Sequence, residues 1–395
     1  MRLGHTVRRM SYVLVLIVLS CLLGGSVLAD GPLYTPAERL GVSFLIRLET
    51  PDGWVNQSIA TYDLAALSPG WYTDWSFGAS PDMPADMQGT NAPEYAQLIR
   101  VSDRAWEPDW SAVQNAVELN TGSLWMIGNE PECPNQDAVT PEVYAERYHT
   151  AYVRIKGWDP TARVANGAIV EVTPLRLAWL EQVMAAYEDM YSEPMPVDVW
   201  NIHVQILSEG SDTDPKAGAG VPVFAEGSEP SGILPKQFGD LRDNASLPIF
   251  QTMVWDFRDW MEANGQQSKE LIISEMGVLF PSEYLVPEGY TGDDPEDAGD
   301  RVVEAFMIGA IDWLNTETDE VVGCPTDEYR LVQRYLWYAL NDHFYWRQDG
   351  SASGFNGSLW NHETGEPTRF GRQLIAYENR FRDLHRVAVP LTINP

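Results

Sequence analysis

Short apolar runs alternate with longer amphipathic segments along most of the chain. Eight of these runs predict buried strands, at 41–47, 70–75, 95–101, 123–128, 162–168, 197–203, 271–275 and 334–341. Strands that are apolar along nearly their whole length are typical of parallel sheets with both faces covered. Eight strands alternating with helices therefore predict an α/β fold, a single-domain (β/α)8 TIM barrel.

The amphipathic segments carry helix signals. After the fourth strand, Thr140 fits an N-cap and Pro141 fits the first turn, and Gly157 marks a stop. Further helices are expected at about 298–314 and 369–382. No internal repeat or low-complexity linker divides the sequence, so residues 30–395 are predicted to form one catalytic-type barrel domain.

The segment 208–246 departs from this regular alternation. It is rich in Gly, Pro, Ser and Asp and has no periodic apolar pattern. A long loop inside a compact domain is usually functional or disordered. As an insertion after the sixth strand it would lie on the catalytic face of a barrel, where it could wall one end of a cleft. A solvated insertion is the alternative.

The N-terminus has the pattern of a secretory signal peptide. Arginines precede an apolar stretch over 12–23, and a Val-Leu-Ala sequence ends at Ala29. We therefore expect residues 1–29 to be removed and the mature protein to be secreted or extracytoplasmic. Cys21 leaves a lipid anchor open, although the residues before it form a poor attachment signal. No later stretch is long and apolar enough to predict a membrane span.

The composition restricts the partners. The net charge is −31 at pH 7, and such an acidic surface repels nucleic acid and anionic lipid. It is compatible with a neutral substrate. The 15 Trp and 17 Tyr residues supply many flat apolar faces, most of them for the core and some available to stack on sugar rings.

Neither a metal nor a cofactor is expected. No His or Cys spacing resembles a zinc site, and no glycine-rich loop is placed to cradle a phosphate. The acidic run 293–300 is either a solvated helix start or a calcium site. Cys133 and Cys324 remain after processing and permit a disulfide without demonstrating one.

Two of the predicted strands end in a carboxylate. The run LWMIGNEP stops at Glu130 after the fourth strand, and LIISEMG stops at Glu275 on the seventh. The C-terminal ends of barrel strands carry the chemistry of these enzymes, and closure would bring both groups to one cavity. A pair of carboxyl groups, one protonated and one ionised, can hydrolyse a glycosidic bond.

The sequence Asn129-Glu130-Pro131 after a fourth strand, with a second Glu on the seventh, resembles the clan A retaining glycoside hydrolases. The resemblance implies that Glu130 is the acid/base and Glu275 the nucleophile. It also implies that Asn129 binds the sugar 2-hydroxyl and that His203, at the end of the sixth strand, lies near the nucleophile. The sixth strand reads His-Val-Gln, whereas His-x-Tyr is more frequent in these enzymes.

Aromatic residues extend this resemblance. Trp346, or alternatively Trp337, is implied as the platform under the reacting sugar. Gly70-Trp71-Tyr72 followed by Trp75 is similar to compact fungal-type β-1,3-glucanase cores, which makes Trp75 a further candidate for sugar binding. Xylosidase-like members match about as well. The Arg usual on strand two has no counterpart there, and Arg100 lies on the third strand instead.

These observations predict an exported retaining glycoside hydrolase. It would cleave β-glycosidic bonds of a neutral oligo- or polysaccharide by double displacement, without a cofactor. The alternative is a non-catalytic carbohydrate-binding or structural barrel protein of the cell surface, because a fold alone does not fix a function. The sugar, the linkage, endo or exo action and the oligomeric state stay open.

Overall fold

A computed structural model describes residues 32–79, 83–84, 87–89, 92–210, 218–237, 240–347 and 352–388. The predicted signal peptide, with Cys21, lies outside these residues. Within them, none of the helices combines the length and the apolar character that a bilayer crossing requires.

Eight parallel strand positions form a closed barrel. The strands are β1 (Leu40–Ser43), β2 (Trp71–Thr73), β3 (Glu94–Tyr95, continued by Gln97–Ile99), β4 (Leu124–Asn129), β5 (Arg163–Ala168), β6 (Val199–Val204), β7 (Glu270–Met276) and β8 (Arg334–Trp337). β8 pairs with β1, and the two pieces of β3 pair with β2 and β4 respectively. Only Ala96 separates these two pieces, so the sheet closes on itself and the predicted TIM-barrel fold is confirmed.

Helices cover the outside of the sheet. They are α1 (Pro36–Arg39), α2 (Trp110–Leu119), α3 (Pro141–Trp158), α4 (Pro174–Tyr191), α5 (Leu247–Ala263), α6 (Pro295–Thr316) and α7 (Arg369–Ala388). The last six follow β3 to β8 in turn. α6 begins three residues before its predicted start because the Asp294 carboxylate caps it, accepting a hydrogen bond from the Asp297 N–H over 3.0 Å.

The first crossover differs from the prediction. β1 stops at Ser43, whereas the sequence predicted a strand as far as Arg47. Arg47–Thr50 instead pairs with Gly53–Asn56 in an antiparallel hairpin. Arg47 is exposed and Leu48 is buried, and this alternation suits a ribbon with one face in solvent better than a barrel strand.

The barrel interior is packed below the cleft. Seven strands contribute apolar side chains to one interior cluster: Trp71, Ala96, Leu98, Leu124, Met126, Ala165, Val199, Ile272 and Leu336. β1 contributes Gly41, where a Cβ atom would lie 2.5 Å from the Trp71 ring. The indole fills this space, so only the C-terminal end of the barrel is left to hold a ligand.

Charged side chains close the opposite, N-terminal end. The Glu94 carboxylate accepts hydrogen bonds from Arg163 over 2.7 Å and from Arg334 over 2.6 Å. The Tyr34 hydroxyl donates to Glu270 over 2.7 Å beside them. These contacts contribute to stability rather than to chemistry, since barrel chemistry takes place at the other face.

The two described cysteines are not linked. Cys133 and Cys324 are both buried and reduced. The Cys133 thiol lies 3.2 Å from the Ala219 carbonyl oxygen, and the Cys324 sulfur lies 3.3 Å from the Thr326 hydroxyl. The disulfide that the sequence permitted is therefore absent.

Candidate active site

The ends of β4 and β7 place Glu130 and Glu275 in one cleft of about 360 Å³. Their exposed fractions are only 5% and 7%, so both carboxyl groups are largely removed from solvent. One oxygen from each, together with a ring nitrogen of His203, lies within 4.8 Å of the others. The two carboxylates that the sequence selected therefore face each other across a shared space.

His203 lies between the two carboxyl groups. Its Nδ1 is 2.9 Å from Glu130 Oε1 and 3.8 Å from Glu275 Oε2, while its Nε2 is 3.1 Å from the Ser274 hydroxyl. Burial by itself would lower the pKa of His203, but the charge of Glu275 and the hydrogen bond with Glu130 raise the pKa overall. The imidazole is therefore suited to holding a proton beside both carboxyl groups.

Glu275 is held by Gln205. The Gln205 side-chain amide donates a hydrogen bond of 2.9 Å to Glu275 Oε1, and Gln205 is the residue at which this sequence departs from the more frequent His-x-Tyr pattern. Burial raises the pKa of Glu275 to about 8, and the charges of Glu130 and Asp342 also raise it. His203 and the Gln205 amide act in the opposite direction. Burial therefore favours the protonated form of Glu275.

Two cleft residues adopt the left-handed backbone conformation that usually favours glycine. The φ angle is 45° at Glu130 and 63° at Trp75. This conformation costs an ordinary residue about 1–2 kcal/mol. The Glu130 carbonyl accepts a hydrogen bond from the Cys133 N–H over 3.0 Å, which holds the turn. Strain of this kind clusters at functional sites, where it directs a side chain into the cleft.

Asn129 also lines the cleft, and its surroundings orient it. The Asn129 N–H donates to Asp137 Oδ2 over 2.9 Å, and Asp137 Oδ1 accepts from Arg100 Nε over 2.6 Å. Arg100 itself reaches the cleft from the end of β3. No function was predicted for Arg100 from the sequence, although its position directly after a barrel strand was the available signal.

Aromatic rings form another wall. The Trp75 ring centroid lies 5.8 Å from the His203 ring and 6.1 Å from the Tyr338 ring, and Phe355 packs 4.4 Å from Tyr338. Trp75 was predicted to bind sugar. Tyr338 and Phe355 were missed, because the predicted eighth strand ran to residue 341 and so included Tyr338, whereas β8 ends at Trp337 and Tyr338 directly follows it.

The two candidate tryptophans of the eighth strand lie elsewhere. Trp346 is 45% exposed on a short hairpin and makes an edge contact with Tyr284 at 6.1 Å. It is not among the described residues that line the cleft. Trp337 is fully buried, and its indole N–H donates to the Gly357 carbonyl oxygen over 2.8 Å. Tyr338 is the aromatic residue that β8 brings to the cleft.

The other acidic candidates have structural partners. Glu132, the rival acid two residues after Glu130, is buried and paired with Arg176 over 2.6 Å. In the acidic run, Asp297 and Asp300 lie 2.9 Å and 3.0 Å from Arg369. Among the described residues, the grouping with metal-like spacing is instead Glu130, His203 and Glu275, which could accept a divalent cation as well as a proton.

Comparison with known proteins supports the fold. No family model matches the chain, and no curated protein matches it. Among solved structures, an endo-β-1,3-glucanase of glycoside hydrolase family 128 from Amycolatopsis mediterranei, in complex with laminarihexaose, is similar with a TM-score of 0.50. The alignment covers 86% of this chain and 99% of that one at 12% identity. The resemblance to barrel glycosidases inferred from sequence is thus confirmed for the fold.

Two further structures of that family are similar at lower scores. The endo-β-1,3-glucanase from Pseudomonas viridiflava has a TM-score of 0.47 and 15% identity, covering 86% of this chain and 97% of that one. The curdlan-specific exo-β-1,3-glucanase from Blastomyces gilchristii has a TM-score of 0.48 and 14% identity, covering 86% and 99%.

Proposed function

We propose that this protein is a retaining glycoside hydrolase that acts on a neutral β-linked glucan. The observation that carries the proposal is the carboxyl pair of Glu130 and Glu275, with oxygens within 4.8 Å of each other across one cleft. Retaining enzymes hold their carboxyl groups about 5–5.5 Å apart, whereas inverting enzymes separate them by about 6.5–9.5 Å to admit a water molecule. The short separation favours retention.

The two carboxyl groups have different tasks in this mechanism. Glu275 attacks the anomeric carbon with an oxygen lone pair while the glycosidic C–O bond breaks, and Glu130 gives its proton to the leaving oxygen. A covalent glycosyl-enzyme results. Glu130 then takes a proton from water as that water attacks the anomeric carbon, which releases the sugar and restores both groups.

His203 can transfer the proton that this mechanism requires. Burial favours the protonated form of Glu275, whereas catalysis needs Glu275 ionised and Glu130 protonated. His203 Nδ1 lies 2.9 Å from Glu130, within hydrogen-bond reach, and 3.8 Å from Glu275, so a protonated His203 can supply the proton to Glu130 while its charge stabilises Glu275 as the anion. Positive charge developing on the sugar ring favours the ionised form of Glu275 at the moment of attack.

Polar atoms of the cleft are suited to sugar hydroxyls. Trp75 Nε1, Asn129 Oδ1 and Gln205 Oε1 are buried and have no hydrogen-bond partner among the described residues. Such atoms are costly to bury unless a ligand satisfies them. The rings of Trp75, Tyr338 and Phe355 supply apolar surface beside them, a combination that suits a carbohydrate.

A β-1,3-glucan is the first substrate to test, since the structurally similar enzyme from Amycolatopsis mediterranei is a β-1,3-glucanase bound to laminarihexaose. Hydrolysis of laminarin, xylan and mannan by the wild type should be compared. We expect Glu130→Gln to lose most activity on glucan but to keep more on an aryl glucoside whose leaving group needs no proton. Glu275→Gln should be inactive on both.

The stereochemistry of the product provides a second test of the proposed function. Proton NMR during the first minutes of hydrolysis should show the β-anomer. An initial α-anomer would indicate inversion instead of retention. Unchanged activity of Glu130→Gln would contradict the proposed mechanism. Binding of glucan without product, unaffected by both substitutions, would favour the carbohydrate-binding alternative.

We also propose that the protein is exported, on the basis of the signal-peptide pattern at residues 1–29. N-terminal sequencing of the protein recovered outside the cytoplasm should begin at Asp30. A lipid-modified Cys21 at the N-terminus would change the proposal to an anchored protein.

A further inference from the structure

A buried group of charged residues lies directly behind the cleft. Arg176, on α4, donates to Glu132 Oε1 over 2.6 Å, and its Nε lies 3.3 Å from Glu209 Oε1. All three side chains are essentially inaccessible to solvent. Glu132 follows β4 and Glu209 follows β6, so the arginine joins two strand-end loops of the catalytic face.

A second ion pair joins the same region. Lys236 Nζ lies 2.5 Å from Glu171 Oε2, which also accepts the Leu207 N–H over 3.2 Å. The Lys236 backbone N–H donates to Glu209 Oε2 over 2.8 Å. We call Glu132, Glu171, Arg176, Glu209 and Lys236 the loop anchor, because together they tie the loop after β6 to the loops after β4 and β5.

The loop anchor holds one short segment against the β4 loop. Arg176 Nη2 donates to the Gly220 carbonyl oxygen over 2.8 Å, and the Val223 N–H donates to the Glu132 carbonyl oxygen over 2.9 Å. Gly220 has a φ of 73°, and a Cβ there would lie 3.2 Å from the Pro134 ring. Glycine is therefore needed for the segment to approach this closely.

The held segment forms part of the cleft. Gly218 and Ala219 line the same cavity as Glu130 and Glu275. The Ala219 N–H donates to the Ser208 carbonyl oxygen over 2.8 Å, and its own carbonyl oxygen faces the Cys133 sulfur at 3.2 Å. The wall made by Gly218 and Ala219 is thus fixed from behind on both sides.

A network of buried charges is a weak way to stabilise a fold. Desolvation offsets much of the attraction between buried ions, and well-packed apolar residues are often as stable. In some proteins buried ionic groups instead fix a defined geometry, because removing one partner leaves the other charge buried and unpaired. A loop without regular secondary structure has few other means of holding an exact position.

We infer that the loop anchor sets the position of the Gly218–Ala219 wall and thereby the length of sugar chain that the cleft binds beside β5 and β6. This inference rests on the proposed glucanase function. Arg176 and Lys236 are positioning residues here, as neither lines the cavity. A residue that only stabilises the fold would affect short and long substrates alike.

Lys236 offers the cleanest test because its side chain is 27% exposed, whereas Arg176 is inaccessible. Lys236→Met removes the ion pair, and Glu171→Gln removes it from the other side while keeping an acceptor for the Leu207 N–H. Lys236→Arg retains the charge. Lys269→Met, just before β7 at the opposite end of the barrel, is the matched control. Melting temperatures check that each variant is folded.

Hydrolysis of laminari-oligosaccharides from two to six units should be compared with that of an aryl β-glucoside. For Lys236→Met and Glu171→Gln we expect KM for the hexasaccharide to rise about fivefold. The expected rise is moderate because one partner of the lost ion pair is partly exposed. Turnover of the aryl glucoside should stay at the wild-type value, and Lys236→Arg and Lys269→Met should match the wild type. Equal losses on all substrates, or no change on any, would overturn the inference.

The two proposals fail separately. If the wild type hydrolyses β-1,3-glucan but the length dependence is unchanged in the variants, only the inference about the wall is wrong. If the wild type hydrolyses none of the glucans, the proposed function fails, and calorimetry with the same oligosaccharides tests the wall by binding alone. A loss of affinity that grows with chain length in Lys236→Met supports the inference, and its absence overturns it.

Discussion

The side-chain amide of Gln205 donates a hydrogen bond of 2.9 Å to Oε1 of Glu275, joining the end of β6 to the end of β7. A hydrogen bond to a carboxylate is stronger than one between neutral groups. It also favours the ionised form of the carboxyl group. Gln205 therefore assists the group that must be ionised to attack. It also leaves the second carboxylate oxygen free to face the anomeric carbon.

Replacing Gln205 by leucine should weaken catalysis, because leucine has a similar size but cannot donate this hydrogen bond. A hydrogen bond to a charged group is worth about 1.5–3 kcal/mol, so we expect kcat/KM to fall by about 10- to 100-fold. Steady-state kinetics with an aryl β-glucoside would measure this loss. Gln114→Leu, on the exposed face of α2, should match the wild type. If both variants behave alike, the Gln205 contact has no part in the reaction.

The sequence was sufficient to find the carboxyl pair, for a physical reason. Glu130 and Glu275 each end an apolar run, and in a parallel barrel all such ends meet at one face. The family resemblance, rather than this logic, implied that His203 lies near the nucleophile, and its Nδ1 lies 3.8 Å from Glu275. Which side chains then touch depends on register and on side-chain direction, neither of which a single chain segment determines. The Gln205 contact with Glu275 is of this kind.

The aromatic wall shows where prediction from sequence ends. Trp346 was selected because tryptophan commonly underlies the sugar in similar enzymes, but β8 ends at Trp337 and brings Tyr338 to the cleft instead. Strand ends are uncertain by one or two residues from sequence, and a shift of one residue turns a side chain to the opposite face. The loop anchor was unforeseen because its five residues come from separate parts of the chain.

Activity should decline in alkali as the carboxyl pair loses its last proton. Burial raises the pKa of Glu275 to about 8, with further raising by the charges of Glu130 and Asp342. In the proposed mechanism Glu130, His203 and Glu275 share one proton for the leaving oxygen, and above that pH the group has lost it, so kcat/KM should fall about tenfold per pH unit. Below it the proton is retained. A pH series with laminarin and with an aryl glucoside would measure the position of this decline.

Asp342→Asn tests the cause of that pH dependence. The change removes a negative charge that raises the pKa of Glu275, so the alkaline decline should move to lower pH. Asp312→Asn, on α6 outside the cleft, removes the same charge without that proximity and should leave the profile in place. Activity that stays constant to pH 10, or a shift in the opposite direction for Asp342→Asn, would contradict the assignment.

Added zinc should inhibit rather than activate. Glu130, His203 and Glu275 present three potential ligand atoms within 4.8 Å of one another. Carboxylate and imidazole are normal zinc ligands, so a bound ion would occupy the groups that double displacement needs free. We expect inhibition by zinc that EDTA reverses, and full activity after dialysis against EDTA alone. Loss of activity in EDTA that zinc restores would instead indicate a metal-dependent hydrolase.

A buried carboxyl group far from the cleft should make the fold less stable above about pH 7 than in acid. Glu378, on α7, is fully inaccessible, and neither of its oxygens has a hydrogen-bond partner among the described residues. Arg382 Nε lies 3.4 Å from one of them. Burial raises the pKa of Glu378 to about 7, although the charges of Arg382 and Arg39 lower it. The folded state therefore holds this proton more tightly than the unfolded chain does.

The sign of the effect follows from this difference in proton binding. The proton contributes fully to folding below the unfolded pKa, and its contribution is lost as pH rises through the folded value near 7. Glu378→Gln carries no titrating group, so at pH 8 it should need more urea to unfold than the wild type, with a free energy of unfolding higher by on the order of 3 kcal/mol. At pH 4.5 the two should nearly coincide. Glu262→Gln, an exposed carboxyl on α5, should show no such difference, and an equal gain at both pH values for Glu378→Gln would attribute the effect to packing rather than to the proton.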